Sequence, residues 1–127
     1  SSAASVVYKG QQLWCDRVRV EQIVWNRLNN AIKFTPAGGS VRVSLALAEG
    51  GNFAQLCVAD TGIGIPEKYR ERIFERFFRV DKSRSKETGG TGLGLAIVKH
   101  IAQVHDAPVE LDSVEGQGTT ITVHFPE

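Results

Sequence analysis

Asp60-Thr61-Gly62-Ile63-Gly64-Ile65 sets one carboxylate and two alternate glycines directly behind an apolar run. An acid at a strand end, followed by a backbone free to curl, can read the edge of a nucleobase. A carboxylate accepts a hydrogen bond from an exocyclic amine such as adenine's, and repels the carbonyl oxygen that guanine carries there. Glycines at alternate positions admit positive φ and let the backbone come close to a ligand. The same six residues also spell an ordinary turn after a strand.

A second group lies upstream. Asn26, Asn30 and Lys33 fall at i, i+4 and i+7, which puts them on one stripe of a helix. An amide oxygen is a hard neutral ligand suited to Mg²⁺, and a lysine one turn on can meet phosphate oxygens. The plainer alternative is a solvated polar face. Against it stands the helix cost of two mid-helix asparagines.

The third group is Gly89-Gly90-Thr91-Gly92-Leu93-Gly94-Leu95, at the start of a helix. Free amides at a helix N-terminus, flanked by flexible glycines, form an anion site aimed at phosphates. It is not a P-loop, since no Gly-Lys-Ser/Thr follows at the required distance. It is not a dinucleotide fingerprint either, because Leu95 stands where the third glycine belongs and no strand feeds in. A glycine-rich turn between loop and helix remains the alternative.

These groups need elements to hold them. Strand-like pieces at Ser5–Tyr8 and Gln12–Cys15 flank a Lys9-Gly10 turn. Asp16 is placed to N-cap a helix running to about Phe34, with Val20, Ile23, Val24, Leu28, Ala31 and Ile32 as its apolar side. Thr35-Pro36-Ala37-Gly38-Gly39 stops it. Val41–Ala48 and Phe53–Ala59 read as a hairpin around Glu49–Asn52. Pro66 starts a helix expected over Glu67–Phe74, with Glu67 favourable in its first turn.

Arg79–Thr91 keeps no apolar period, as in a mobile functional loop or a disordered insertion. Leu93–Val104 resumes helical spacing, and Val109–Leu111 with Thr119–Phe125 closes the chain as a hairpin around Glu115–Gly118. The order predicts an α+β fold: a two-layer α/β sandwich with a mainly antiparallel sheet covered on one face.

Composition is consistent with that fold. The 127 residues suit a single domain spanning 1–127 with a real core. Hydrophobic content of 42% and charged content of 23% are those of an ordinary globular chain. A net charge of +1 supplies no strong field toward nucleic acid or membrane. No apolar run approaches the ~18 residues of a spanning helix, and no signal peptide opens the chain. Cys15 and Cys57 sit in apolar runs without metal spacing, and are expected as buried small hydrophobes in a reducing compartment. The Ser1-Ser2 start and the lack of methionine suggest a domain excised from a longer protein.

In order, the Asn-x-x-x-Asn-x-x-Lys helix, the Asp-x-Gly-x-Gly turn and a lid ending in Gly-x-Gly-x-Gly resemble the nucleotide-binding domain of sensor histidine kinases. That family shares its ATPase superfamily with gyrase, the Hsp90 chaperones and the MutL repair proteins. The resemblance covers about Gln11 to Pro126. Asn26–Thr35 is similar to the asparagine box, Asp60–Ile65 to the first glycine box and Ile73–Phe78 to the phenylalanine box. Gly90–Leu95 is similar to the second glycine box and Gly116–Thr120 to a third. The run from Phe78 to Ser85, followed by Gly89–His100, looks most like the phosphate-sensing and cell-wall-sensing kinases.

The resemblance implies a Bergerat-type ATP-binding fold with a mixed sheet, three helices on one face and a mobile ATP lid. It implies ATP or ADP with Mg²⁺ as cofactors. Asn30 would supply an oxygen to Mg²⁺, Asn26 would support phosphate and metal water, and Lys33 would contact a phosphate. Phe34 would pack at the nucleotide, and Asp60 would accept from the adenine amine. Gly62 and Gly64 would let the loop pass the base, with Ile65, Leu93 and Leu95 as apolar walls. Arg79 and Arg84 would stabilise the terminal phosphate. Gly90, Thr91, Gly92 and Gly94, with the amides of Leu93 and Leu95, would hold the phosphate chain, and Thr119 or Thr120 would close the floor.

ATP-hydrolysing members of that superfamily carry a glutamate where this chain has Asn26. An amide cannot take a proton from water, so transfer to an outside nucleophile is favoured over hydrolysis. Arg27-Leu28 departs from the two apolar residues usual there, and Arg27 is expected to point away from the ligand stripe, which puts packing in doubt more than binding. His100, His105 and His124 lack the context of a phospho-accepting helix.

The implied function is therefore γ-phosphoryl transfer from Mg-ATP to a histidine on a separate helical dimerisation domain, with a response regulator reached through that domain. The expected setting is the cytoplasmic part of a membrane-bound bacterial sensor. The isolated domain is expected to be a monomer, with no nucleic-acid partner and no membrane insertion. The alternatives are an isolated or engineered ATP/ADP-binding module, and an ATPase or serine kinase of the same superfamily.

Overall fold

The computed structural model describes residues 17–47, 53–79 and 93–126. The expected strands at Ser5–Tyr8 and Gln12–Cys15, the Asp16 cap, the Glu49–Asn52 turn and the lid beyond Arg79 as far as Gly92 lie outside the described residues.

Helix α1 spans Arg17–Lys33. Its apolar period points Val20, Ile23, Val24, Leu28 and Ala31 into the core. Ile32 does not join them: it lies about 100° round the helix from Ala31 and is 42% exposed. The helix ends where expected. The Thr35 hydroxyl donates to the Ala31 carbonyl at 2.6 Å, Pro36 cannot continue the ladder, and Gly38 turns the chain at φ 90°.

Strands β1 (Val41–Leu47) and β2 (Phe53–Asp60) form the expected hairpin, with Val41 opposite Asp60. Strands β3 (Val109–Val114) and β4 (Gly118–Pro126) form the second. Strand β4 pairs antiparallel with β2, giving the order β1-β2-β4-β3. The register places Thr119 of β4 beside Asp60. Asp60 thus ends a central strand with a neighbour on each side. Every pairing among the described residues is antiparallel.

Strand alternation sends Val41, Val43, Leu45, Leu56, Val58, Val123 and Phe125 to one face, where α1 and α2 (Gly94–Val104) cover them. Val98, Ile101 and Ala102 of α2 complete this core. The result is the expected two-layer sandwich, with helices on one face. Cys57 falls on the alternate positions, opposite Ser44 and Thr122, and is half-buried. It belongs to the polar face of the sheet and not to the core, which corrects its expected burial.

The expected helix over Glu67–Phe74 is also corrected. Only Glu67–Tyr69 forms a helix, of the 3₁₀ type. Bonds of i to i+3 type then continue from Arg72 to Tyr69, Glu75 to Arg72 and Phe78 to Glu75. The cause is thin burial. Within Glu67–Phe77 only Ile73 is buried, too little to hold an α-helix together. Among the described residues no helix is long and apolar enough to cross a membrane.

Candidate functional site

Asp60 is held by three donors. Its Oδ1 accepts from the Gly62 amide at 2.9 Å and the Thr119 amide at 3.2 Å, and its Oδ2 from Arg27 Nη2 at 2.8 Å. A carboxylate has about four lone-pair positions, so one remains for a further donor. The Gly62 bond is the local turn legible in Asp-x-Gly, and the Thr119 bond follows from strand register.

Arg27 overturns the expectation made for it. Its side chain is only 2% exposed and forms a buried ion pair with Asp60. Nη2 also meets the carbonyls of Val58 at 3.1 Å and Thr119 at 2.9 Å, and Nη1 donates to Asn30 Oδ1 at 3.0 Å. Helix geometry accounts for this. Arg27 and Asn30 are i, i+3 neighbours, and a long side chain leaving α1 there reaches the ends of β2 and β4. Arg27 Nε is buried without a partner among the described residues. Burial lowers the Arg27 pKa from its ordinary value, and the charge of Asp60 opposes that shift.

The asparagine stripe is present on α1. Asn26 Nδ2 donates to the Gln22 carbonyl at 2.7 Å, which leaves its amide oxygen for other partners. Asn30 is half-buried and Lys33 exposed. The start of α2 comes close to this stripe, since a Cβ added at Gly94 would stand 3.6 Å from the Asn26 carbonyl. The first amides of α2 have no partner within the helix and carry its positive dipole end. Leu93, Gly94 and Leu95 are half-buried at this end.

The loop after Asp60 is pinned to two neighbours. The Ile63 amide donates to the Phe34 carbonyl at 3.1 Å, and the Gly116 amide to the Ile63 carbonyl at 2.7 Å. The Ile65 amide donates to Ser113 Oγ at 2.9 Å, and Ser113 Oγ lies 2.8 Å from Thr119 Oγ1. These contacts give the glycines a local reason. A Cβ on Gly62 would run into the Phe34 carbonyl, and one on Gly64, at φ 69°, into the Val114 carbonyl. Close packing of protein on protein therefore demands both, whatever passes beside the loop.

The structure separates several of the residues expected at the site. Asp60, Asn30 and Thr119 are brought together around Arg27, and Asn26 lies beside the α2 start. Thr120 alternates to the other face of the sheet, opposite Ala59 and Asp112, away from Asp60. Arg84, Gly90, Thr91 and Gly92 lie outside the described residues, and Arg79 is half-buried at the edge of its segment. Arg27 and Ser113 are the participants that sequence reasoning missed. The i, i+3 spacing to Asn30 was a partial signal for Arg27, complete only with the strand ends in place, whereas Ser113 needs the hairpin register. Of the histidines, His100 is exposed, His105 stacks edge-on to Phe125, and His124 is 3.8 Å from Glu110.

Comparison with known proteins matches residues 15–127 to the family described as histidine kinase-, DNA gyrase B-, and HSP90-like ATPase. The chain is 46% identical over 111 residues to the sensor histidine kinase WalK of Bacillus subtilis (strain 168), covering 87% of this chain and 18% of that protein. It is 52% identical over 100 residues to the phosphate regulon sensor protein PhoR of Pseudomonas aeruginosa, covering 79% of this chain and 22% of that protein. The chain thus spans about a fifth of these relatives. Among solved structures, the mycobacterial sensor histidine kinase MprB matches with a TM-score of 0.79 and 35% identity, covering 97% of this chain and 80% of that one. Full-length ShkA in complex with AMPPNP also matches with a TM-score of 0.79, at 31% identity over 97% of this chain and 25% of that one.

Proposed function

Since the chain belongs to the histidine kinase-, DNA gyrase B-, and HSP90-like ATPase family, as a catalytic domain of the sensor histidine kinase type, we propose that it binds Mg-ATP and passes the γ-phosphoryl group to a histidine on a separate helical dimerisation domain. The observation that carries this reading is the arrangement on α1. Asp60 and Asn30 are joined through one guanidinium, and the α2 N-terminus abuts Asn26.

Each end has its own chemistry. The remaining lone pair of Asp60 accepts from the adenine amine, and a guanine carbonyl in that place would face a carboxylate. Phe34, Ile65, Leu93 and Leu95 are the apolar candidates around the base. The α2 amides, with Gly92 and Gly94, take the phosphate chain. Lys33, exposed at the end of α1, meets phosphate charge together with Arg79 and Arg84. Thr119 fixes the Asp60 carboxylate through its amide, and so forms part of the floor.

The residues present fit a magnesium ion carried in by the nucleotide. No group of three or more His, Cys, Asp or Glu among the described residues could hold a metal. Asn30 Oδ1 is a hard neutral oxygen with a second lone pair beyond the one Arg27 occupies, as suits an ion bound chiefly by phosphates and water. When bound, the ion neutralises phosphate charge. The chain's own part is positioning, in keeping with Asn26 standing where a water-activating base would be needed for hydrolysis.

The partner domain lies beyond this chain, and a response regulator would be reached through it. A cytoplasmic location goes with this reading. The test is calorimetric titration with ATP, ADP and GTP, then a transfer assay with a histidine-bearing dimerisation domain. Adenine-selective binding and labelling of the added domain are expected. ATP binding without transfer to any supplied histidine domain would leave a binding module alone.

A further inference from the structure

Resting on that reading, we propose that Arg27 is a positioning residue that ties the base-reading carboxylate and the metal-facing amide to one guanidinium, and thereby lowers the dependence of nucleotide binding on magnesium. Nη2 holds Asp60 Oδ2 at 2.8 Å while Nη1 holds Asn30 Oδ1 at 3.0 Å. The guanidinium is planar and keeps its charge in proteins, so the two contacts move together. Carbonyls of Val58 and Thr119 anchor it from the sheet side.

Asn30 Oδ1 is the atom proposed to face the metal, and it already accepts from a cation. Holding a magnesium ion at Asn30 Oδ1 would cost binding in either of two ways. Nη1 would give up its hydrogen bond, leaving part of a buried guanidinium unpaired. Or Asn30 would serve both with its two lone pairs, setting the metal's charge against that of the guanidinium. Asp60 offsets some of that repulsion but does not remove it. The same guanidinium steadies Asp60, so adenine recognition gains what the metal end loses.

The test compares ADP affinity with and without Mg²⁺ by calorimetry, in wild type, Arg27→Met and Arg27→Lys. The quantity read is the ratio of the two dissociation constants within each protein. A merely structural role for Arg27 changes both constants alike and leaves the ratio untouched. Met frees the Asn30 oxygen. Lys keeps a charge for Asp60, but its one nitrogen lacks the fork that reaches both partners. Magnesium should therefore strengthen ADP binding more in both variants, by about tenfold relative to wild type for Met, the scale of one charge-assisted hydrogen bond.

A wild-type ratio in the variants that fold overturns the proposal. If neither folds, wild-type ADP complex labelled at arginine nitrogens is titrated with Mg²⁺. A shift of the Arg27 side-chain resonances supports the link, and unmoved resonances at saturating metal overturn it. Failure of wild type to bind ADP in either condition is a separate result, and removes the functional reading itself.

Discussion

Asp60 serves the fold with the same carboxylate that is proposed to read the base, and this decides how its variants must be read. Its partner Arg27 is buried, so Asp60→Ala strands a cation away from water and should destabilise the domain by about 3–5 kcal/mol in urea unfolding. Replacing the pair together, Asp60→Leu with Arg27→Met, should recover part of that loss, since apolar substitutes for buried ion pairs are often neutral or stabilising while the Gly62 and Thr119 amides still lose their acceptor. The double variant has no acceptor for an amine, and should lose on the order of 2–4 kcal/mol of ATP binding while staying folded. ATP affinity unchanged in the folded double variant would show that the base is read elsewhere. The acid and the asparagines were picked out by residue type, and the structure sets Asp60 and Asn30 against one guanidinium. Arg27 was not: beside a polar stripe it reads as one more surface charge, and its i, i+3 relation to Asn30 becomes meaningful only once the strand ends are placed.

The elements held where apolar period and burial agree. Helices α1 and α2 and both hairpins follow the residues that fill the core, and their ends fall within a residue or a few of the expected ones. The segment after Pro66 was misread because good helix formers alone do not make a helix without a face to bury. Its exposed Phe77 sits at φ 66°, a conformation that costs a bulky residue energy. Phe77→Gly should therefore leave thermal stability equal or higher, read as Tm, and a clear drop in Tm would mean that the ring contributes to packing. The loop from Asp60 to Ile65 makes the opposite demand. Gly64→Ala should destabilise by more than 1 kcal/mol, because it combines positive φ with a backbone carbonyl in the way. Sequence reading marked this glycine for the base, whereas the β3-β4 turn behind it requires one in any case, a contact that no local pattern reveals.

At the scale of the whole molecule, the chain is a fraction of its relatives, 18% of WalK and 22% of PhoR. Its proposed chemistry needs a histidine acceptor on a separate domain; of its own histidines, His100 is exposed, His105 packs edge-on to Phe125 and His124 lies 3.8 Å from Glu110. Charge on the transferred group grows in importance as the transition state forms, and Arg84 comes from a segment without apolar period. Arg84→Ala should keep its Tm and most of its ADP affinity, yet lose an order of magnitude or more in transfer to an added histidine domain, roughly the effect of one lost electrostatic donor. Full-rate transfer by that variant would make Arg84 a surface charge. The most direct test of the whole reading comes before any transfer: titration of the wild-type domain with ATP and with GTP in the same magnesium buffer, followed by calorimetry. Saturable binding of ATP with GTP weaker by about a hundredfold or more is predicted, the scale of about 2–4 kcal/mol for one charge-assisted hydrogen bond lost. Equal affinity for the two nucleotides, or no binding of either, would contradict it.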